Sequence, residues 1–172
     1  MLSMPASFVS SAAWPLEASP WRARNAPLIV VEDSDEDFDT LVEAAHAAGQ
    51  TRTIHRALSG DACIAFLRGE SGEPKTLPCV LPALIFMDLN SHGLDGREAL
   101  VVIKNDPRLK KIPLVILTTS SNPKDMTFCL NAGANAYHVK PVRHDQYLRL
   151  LGSVLRYWLE SATQDNPTVG AG

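Results

Sequence analysis

Cysteine is scarce in this chain. Its 172 residues hold three, Cys63, Cys79 and Cys129, with neither a CxxC pair nor a metal-ligand spacing. A thiolate metal site or a disulfide framework therefore does not organise the molecule, and reduced thiols packed as small apolar residues in the cytoplasm are expected. Long hydrophobic runs are missing too. No stretch approaches the roughly 18 apolar residues that span a bilayer. No basic residue precedes Arg22, where a secretory signal would carry one. A large excess of charge of either sign is missing too: the formal net charge is -3. Arg108, Lys110 and Lys111 form a small basic group that reads as a solvated turn, so neither a nucleic acid nor a membrane is expected as a partner.

What is present is an alternation. Residues 1–26 carry Pro5, Pro15 and Pro20 without a sustained period and read as an extension, flexible or docked through Trp14 and Trp21. Residues 161–172 read as a disordered tail. Between them, residues 27–160 read as one domain. Leu28–Val31, Thr51–Arg56, Ala83–Met87, Ile112–Leu117 and Asn135–Val139 read as strands. Helices follow each of them. The first is capped by Ser34, with Asp37 at the capping-box position, and stopped by Gly49. The others start at Ser59 or Asp61, at Gly96, at Pro123 and at Arg143, and residues 70–82 form a proline-containing loop. Five β/α units with apolar strands imply a parallel sheet covered on both faces, an α/β fold. Such sheets bind ligands beyond the carboxyl ends of their strands.

The strand ends are where the chemistry concentrates. Ala83–Met87 ends in Asp88, and Leu28–Val31 ends in Glu32 and Asp33. If the two strands are neighbours, three carboxylates converge. Two carboxylates about 4 Å apart repel by roughly 4 kcal/mol at an effective dielectric near 20. The cluster must protonate, stay wet or hold a cation, and hard oxygen donors suit Mg²⁺. One carboxylate can then act as a nucleophile toward phosphorus. Either acidic strand end, taken singly, reads equally as a turn or helix cap. Two further strand ends carry Thr118 and Lys140, which singly read as a helix cap and a solvated lysine. Together the four ends are far more specific.

The motifs VEDSDED, IFMDLN followed by GLDG, VILTTS and AYHVKP resemble those of the receiver domain of two-component response regulators. The resemblance covers about residues 27–160, and Thr118 and Lys140 follow Asp88 at the family's spacings of 30 and 52. It implies a doubly wound, flavodoxin-like five-stranded sheet in the order 2-1-3-4-5. It implies Asp88 as phospho-acceptor and Mg²⁺ held by Asp33, Asp88 and the backbone carbonyl of Asn90, with Glu32 acting through water. Thr118 and Lys140 would contact the phosphoryl group. Lys140 would precede a cis bond to Pro141, and Tyr137 would be an aromatic switch coupled to Thr118. The implied protein is no turnover enzyme, beyond Mg-dependent self-phosphorylation and its reversal. Its phosphodonor would be a histidine kinase.

A narrower similarity, in LTTSS, REALVVIKNDPRLKKIPLVILTT and the Tyr157-Trp158-Leu159 helix end, points to regulators paired with phytochromes, and so to a bacteriophytochrome as that kinase. One departure stands out: His92 occupies a position where many receivers have proline, which leaves the loop freer or brings an imidazole near the phosphoryl group.

No output module is expected after residue 160, so signalling would run through protein contacts or onward transfer in a relay. The last helix carries more apolar residues than one core-facing stripe needs. Tyr147, Leu151, Leu155 and Trp158 are therefore expected at a homodimer interface. Two other functions compete. A pseudo-receiver would act as a constitutive interaction module without phosphorylation, which leaves the intact acids and Lys140 unexplained. A flavodoxin-like cofactor binder would need a phosphate-cradling loop after the first strand, where this chain has acids.

Overall fold

The computed structural model describes residues 25–70, 81–93 and 95–160. Trp14, Trp21, Cys79, most of the proline-containing loop, Leu94 and the segment 161–172 lie outside them.

Three apolar segments, β1 (Leu28–Val31), β3 (Leu84–Met87) and β4 (Leu114–Thr118), are buried along their whole length. They form the middle of a parallel sheet, flanked by the more polar β2 (Ile54–Ala57) and β5 (Ala136–Val139), in the order β2-β1-β3-β4-β5. Successive side chains along a strand point to opposite faces. Ile29, Val31, Ile85, Met87, Leu114 and Ile116 thus join one core. Leu28, Val30, Leu84, Phe86, Val115 and Leu117 join the other.

Helices α2 (Gly60–Arg68), α3 (Gly96–Asn105) and α4 (Pro123–Asn131) cover the first face through Cys63, Leu100, Ile103 and Cys129. Helices α1 (Asp35–Ala47) and α5 (His144–Glu160) cover the second. Their starts follow the local chemistry. Ser34, Ser59, Asp95 and Asn122 each cap a helix by accepting a backbone N–H, and Pro123 occupies the first turn of α4.

Three expectations change. Ala26, read as part of the N-terminal extension, is fully buried in the second core. β2 lies up to three residues later than expected, because the backbone pairing of an edge strand, rather than its polar sequence, sets its limits. Tyr147, Leu151 and Leu155, expected at a subunit interface, pack inside the protomer against α1 and the sheet, with Leu151 and Leu155 at 0% exposure. Their spacing makes one stripe, and that stripe is consumed by the domain's own core. Trp158 is half-buried against the same core, while Tyr157 is exposed and meets it edge-on at 5.1 Å between ring centroids.

Candidate functional site

Register builds the site. Val31 pairs with Met87, so the residues that follow, Glu32 and Asp33 on one strand and Asp88 on the next, leave the sheet side by side. The backbone N–H of Asp88 donates to the carbonyl of Val31 at 3.0 Å, and that of Lys140 donates to the carbonyl of Thr118 at 2.7 Å. Four strand ends therefore meet at one edge of the sheet. One carboxylate oxygen from each of Glu32, Asp33 and Asp88 lies within 4.8 Å of the other two.

Lys140 Nζ sits among the acids. It donates to Glu32 Oε2 at 2.6 Å, Asp37 Oδ2 at 2.7 Å and Asp88 Oδ2 at 2.9 Å. Burial opposes its charge, but the bonds from Asp37 and Glu32 and the charge of Asp88 outweigh that and hold its pKa above the ordinary lysine value. The Glu32 carboxyl is raised, because burial outweighs the help it receives from Lys140. Three carboxylates meet this one ammonium, and Asp33 lies beside two of them, which leaves an excess of negative charge. Among them, three hard oxygen donors close enough to share an ion fit a divalent cation such as Mg²⁺ or Mn²⁺.

The turn after Asp88 is tied to its neighbours. Asn90 N–H donates to Asp88 Oδ1 at 3.0 Å, and its side-chain amide reaches Thr118 Oγ1 and Thr119 Oγ1, each at 3.4 Å. Thr118 is fully buried and also accepts the Ser120 N–H at 3.2 Å. The Tyr137 hydroxyl donates to the Ser120 carbonyl at 2.9 Å. Gly96 closes the turn from behind: a Cβ there would lie 2.5 Å from the Asp88 carbonyl oxygen.

His92 approaches Asp33. Its ring Nδ1 contacts Asp33 Oδ2, and its backbone N–H donates to the same oxygen at 3.2 Å. Burial would raise the Asp33 carboxyl, but these bonds outweigh it and hold the pKa below the ordinary value. The cis bond expected between Lys140 and Pro141 is not found; every peptide among the described residues is trans. The trans form is favoured by about 0.5–1 kcal/mol for such bonds, and with it Lys140 already reaches three carboxylates.

Two participants escaped the sequence. Asp37 was read as half of a capping box, but the reciprocal bond to the Ser34 N–H comes instead from Glu32 Oε1 at 3.0 Å. Asp37 is thereby free for Lys140. Arg56, on the polar edge strand, donates to the backbone carbonyls of Glu32 and Asp33. The signal for Asp37 was the run of acids continuing through Asp35, Glu36 and Asp37, one turn beyond Glu32-Asp33; Arg56 gave none without the strand order.

A profile of the response regulator receiver domain matches residues 28–151. The response regulator Rcp1 of Synechocystis is 36% identical over 140 residues, covering 79% of this chain and 90% of that protein. Two solved structures share the fold at higher identity than fold likeness alone requires. The phosphorylated cyanobacterial phytochrome response regulator RcpA superposes with a TM-score of 0.75 at 32% identity, over 81% of this chain and 97% of that one. The Mn²⁺-bound form of Rcp1 superposes with a TM-score of 0.72 at 33% identity, over 79% and 96%. With its strand order, its strand-end acids and these similarities in agreement, the chain belongs to the response regulator receiver domain family.

Proposed function

We propose that this protein is a phosphoryl-accepting signalling switch of the cytoplasm, with Asp88 as the acceptor and a histidine kinase, of the bacteriophytochrome type, as the donor. The observation that carries the reading is Lys140 Nζ held 2.9 Å from Asp88 Oδ2 beside the three-carboxylate cluster. The similarity to Rcp1 and to the phytochrome response regulator RcpA supports the choice of kinase.

In this reading a carboxylate oxygen of Asp88 attacks the phosphorus of a phosphohistidine. The new P–O bond forms as the P–N bond breaks, and the imidazole nitrogen leaves with the bonding pair and takes up a proton. Asp33, Asp88 and the Asn90 carbonyl, with Glu32 behind, would hold a divalent cation, Mg²⁺ in the cell, which would supply charge neutralisation at the transferred group. Lys140 offers a fixed positive charge to the phosphoryl oxygens, and Thr118 offers a hydroxyl. The added charge competes for Lys140 and Thr118, and Thr118 is linked through Ser120 to Tyr137, the aromatic that would turn with it.

The output would be a protein contact or an onward transfer, and the chain would self-associate as a homodimer. Among the described residues, the exposed large apolar residues other than Leu58, namely Met126, Phe128, Leu130, Val139, Val142 and Tyr157, lie on α4, β5, α5 and the β5–α5 connection. They favour that surface, with Trp158 at its edge, over the buried stripe of α5.

The test is phosphotransfer from the kinase, or from a small acyl phosphate, with Mg²⁺ present. Wild type should take up label that is lost in Asp88→Ala and in chelator. Label retained in Asp88→Ala would move the acceptor elsewhere, and no label in wild type from either donor would favour a constitutive interaction module.

A further inference from the structure

We infer that Arg56 is a positioning residue for the cation site: its guanidinium grips the backbone of Glu32 and Asp33 and so aims their carboxylates at Asp88. The inference rests on reading Glu32, Asp33 and Asp88 as a divalent-cation site.

Glu32 and Asp33 are consecutive, carry like charge and leave β1 just past its last paired residue. The Glu32 N–H still donates to the Ala57 carbonyl at 3.0 Å, and their side chains accept from Ser34, Lys140 and His92, but their two carbonyls lie beyond the strand ladder. Arg56 stands on the neighbouring strand, in register with Val30. Its Nε–H donates to the Glu32 carbonyl at 2.9 Å, and its Nη2 donates to the Asp33 carbonyl at 3.0 Å. Nη1 donates to Asp35 Oδ1 at 2.6 Å. The guanidinium carbon lies 4.8 Å from the centroid of the Phe38 ring, which gives the group a floor.

A planar fork on two successive carbonyls restrains both peptide units together. A lysine ammonium, a point donor on a flexible stem, cannot reproduce that fork. The ion pair with Asp35 explains less. Asp35 is 88% exposed, and pairs of that kind contribute little.

Charge and geometry make opposite predictions. A cation close to a cation site repels the incoming ion, so neutralising Arg56 by charge alone would tighten metal binding. Loss of the clamp would weaken it, since partners that orient ligands are worth about 10–100-fold in metal affinity.

The experiment is a Mn²⁺ titration of the full chain, followed by the paramagnetic resonance signal of free Mn²⁺, for wild type, Arg56→Gln, Arg56→Lys and Asp33→Asn. Thermal melts run in parallel. The expected result is about tenfold or greater weakening in both Arg56 variants, including the one that keeps the charge. Affinity equal to or above wild type in Arg56→Gln overturns the inference, even if its melting temperature falls, because a plain structural brace would lower stability alone. Should Arg56→Gln not fold, Phe38→Leu decides. It keeps the arginine and removes its floor, so several-fold weaker Mn²⁺ binding upholds the clamp and wild-type binding overturns it. A wild type that binds Mn²⁺ no better than Asp33→Asn would instead overturn the cation-site reading itself.

Discussion

Lys140 Nζ donates to Asp37 Oδ2 at 2.7 Å and so joins the end of β5 to the first turn of α1. Among the described residues, the same ammonium is the cation that pairs with two nearly buried carboxylates, Glu32 and Asp88, whose side chains are 5% and 9% exposed. Removing it leaves like charges facing one another in a poorly solvated place. Breaking such a buried arrangement by deleting one partner costs about 3–5 kcal/mol. Lys140→Met should lose stability on that scale when urea unfolding is followed in chelator. Mn²⁺ should restore more stability to the variant than it adds to wild type, since the ion replaces the missing charge. An equal Mn²⁺ effect in both proteins would contradict this.

Arg97 makes the acid-side counterpart. It meets Asp125 through Nε at 3.1 Å and Nη2 at 2.9 Å, and it also bonds Asp95. Arg97, and after it the Ser120 hydroxyl, hold the Asp125 carboxyl below its ordinary value of 3.8. A depressed carboxyl stabilises the fold above its unfolded pKa and loses that contribution as pH falls through the folded one. Arg97→Ala should therefore melt lower than wild type near neutrality, with the gap closing as pH drops below about 3.8. A gap that stays constant from pH 6 to pH 3 would assign the effect to packing.

Gly96 and Gly152 should respond to alanine with opposite signs. At Gly96 the new methyl would meet the Asp88 carbonyl oxygen at 2.5 Å and the Leu89 Cα at 2.8 Å, both backbone atoms that cannot swing aside. Overpacking of this kind costs about 1–3 kcal/mol, and the displaced acceptor turn should also weaken Mn²⁺ binding. At Gly152, inside α5, nothing lies within 4 Å. Alanine there should add about 0.5–1 kcal/mol through helix propensity. Chemical denaturation of the two variants checks both, and stabilisation by Gly96→Ala would mean that the turn is not seated against α3.

The strands that form the middle of the sheet were legible because burial on both faces leaves near-continuous apolar runs, as in Leu28–Val31 and Leu84–Met87. The acids at their ends were legible because a carboxylate is a costly way to stop such a run. Asp37 and Arg56 were not, since each has an adequate local explanation: a first-turn acid on a helix and a cation on a solvated edge strand. Their roles arise only when β2 and β5 are set on either side of β1 and β3. The surplus of apolar residues on α5 misled for a related reason. Helical spacing reports a stripe, but not whether the domain or a second copy covers it.

That distinction can be measured. Leu151 is fully buried in the core shared by α1, α5 and the sheet, whereas Tyr157 is 64% exposed. Leu151→Ala should cost about 2–5 kcal/mol of unfolding free energy, as core truncations of leucine do. Any loss of the proposed dimer in that variant should track unfolding. Tyr157→Ala should leave stability within about 0.5 kcal/mol, as surface substitutions usually do, while shifting light scattering toward the monomer. A folded, undiminished Leu151→Ala that is monomeric would return the buried stripe to the interface. A Tyr157→Ala protein that stays dimeric at the dilution where wild type begins to dissociate would move the contact off this end of α5.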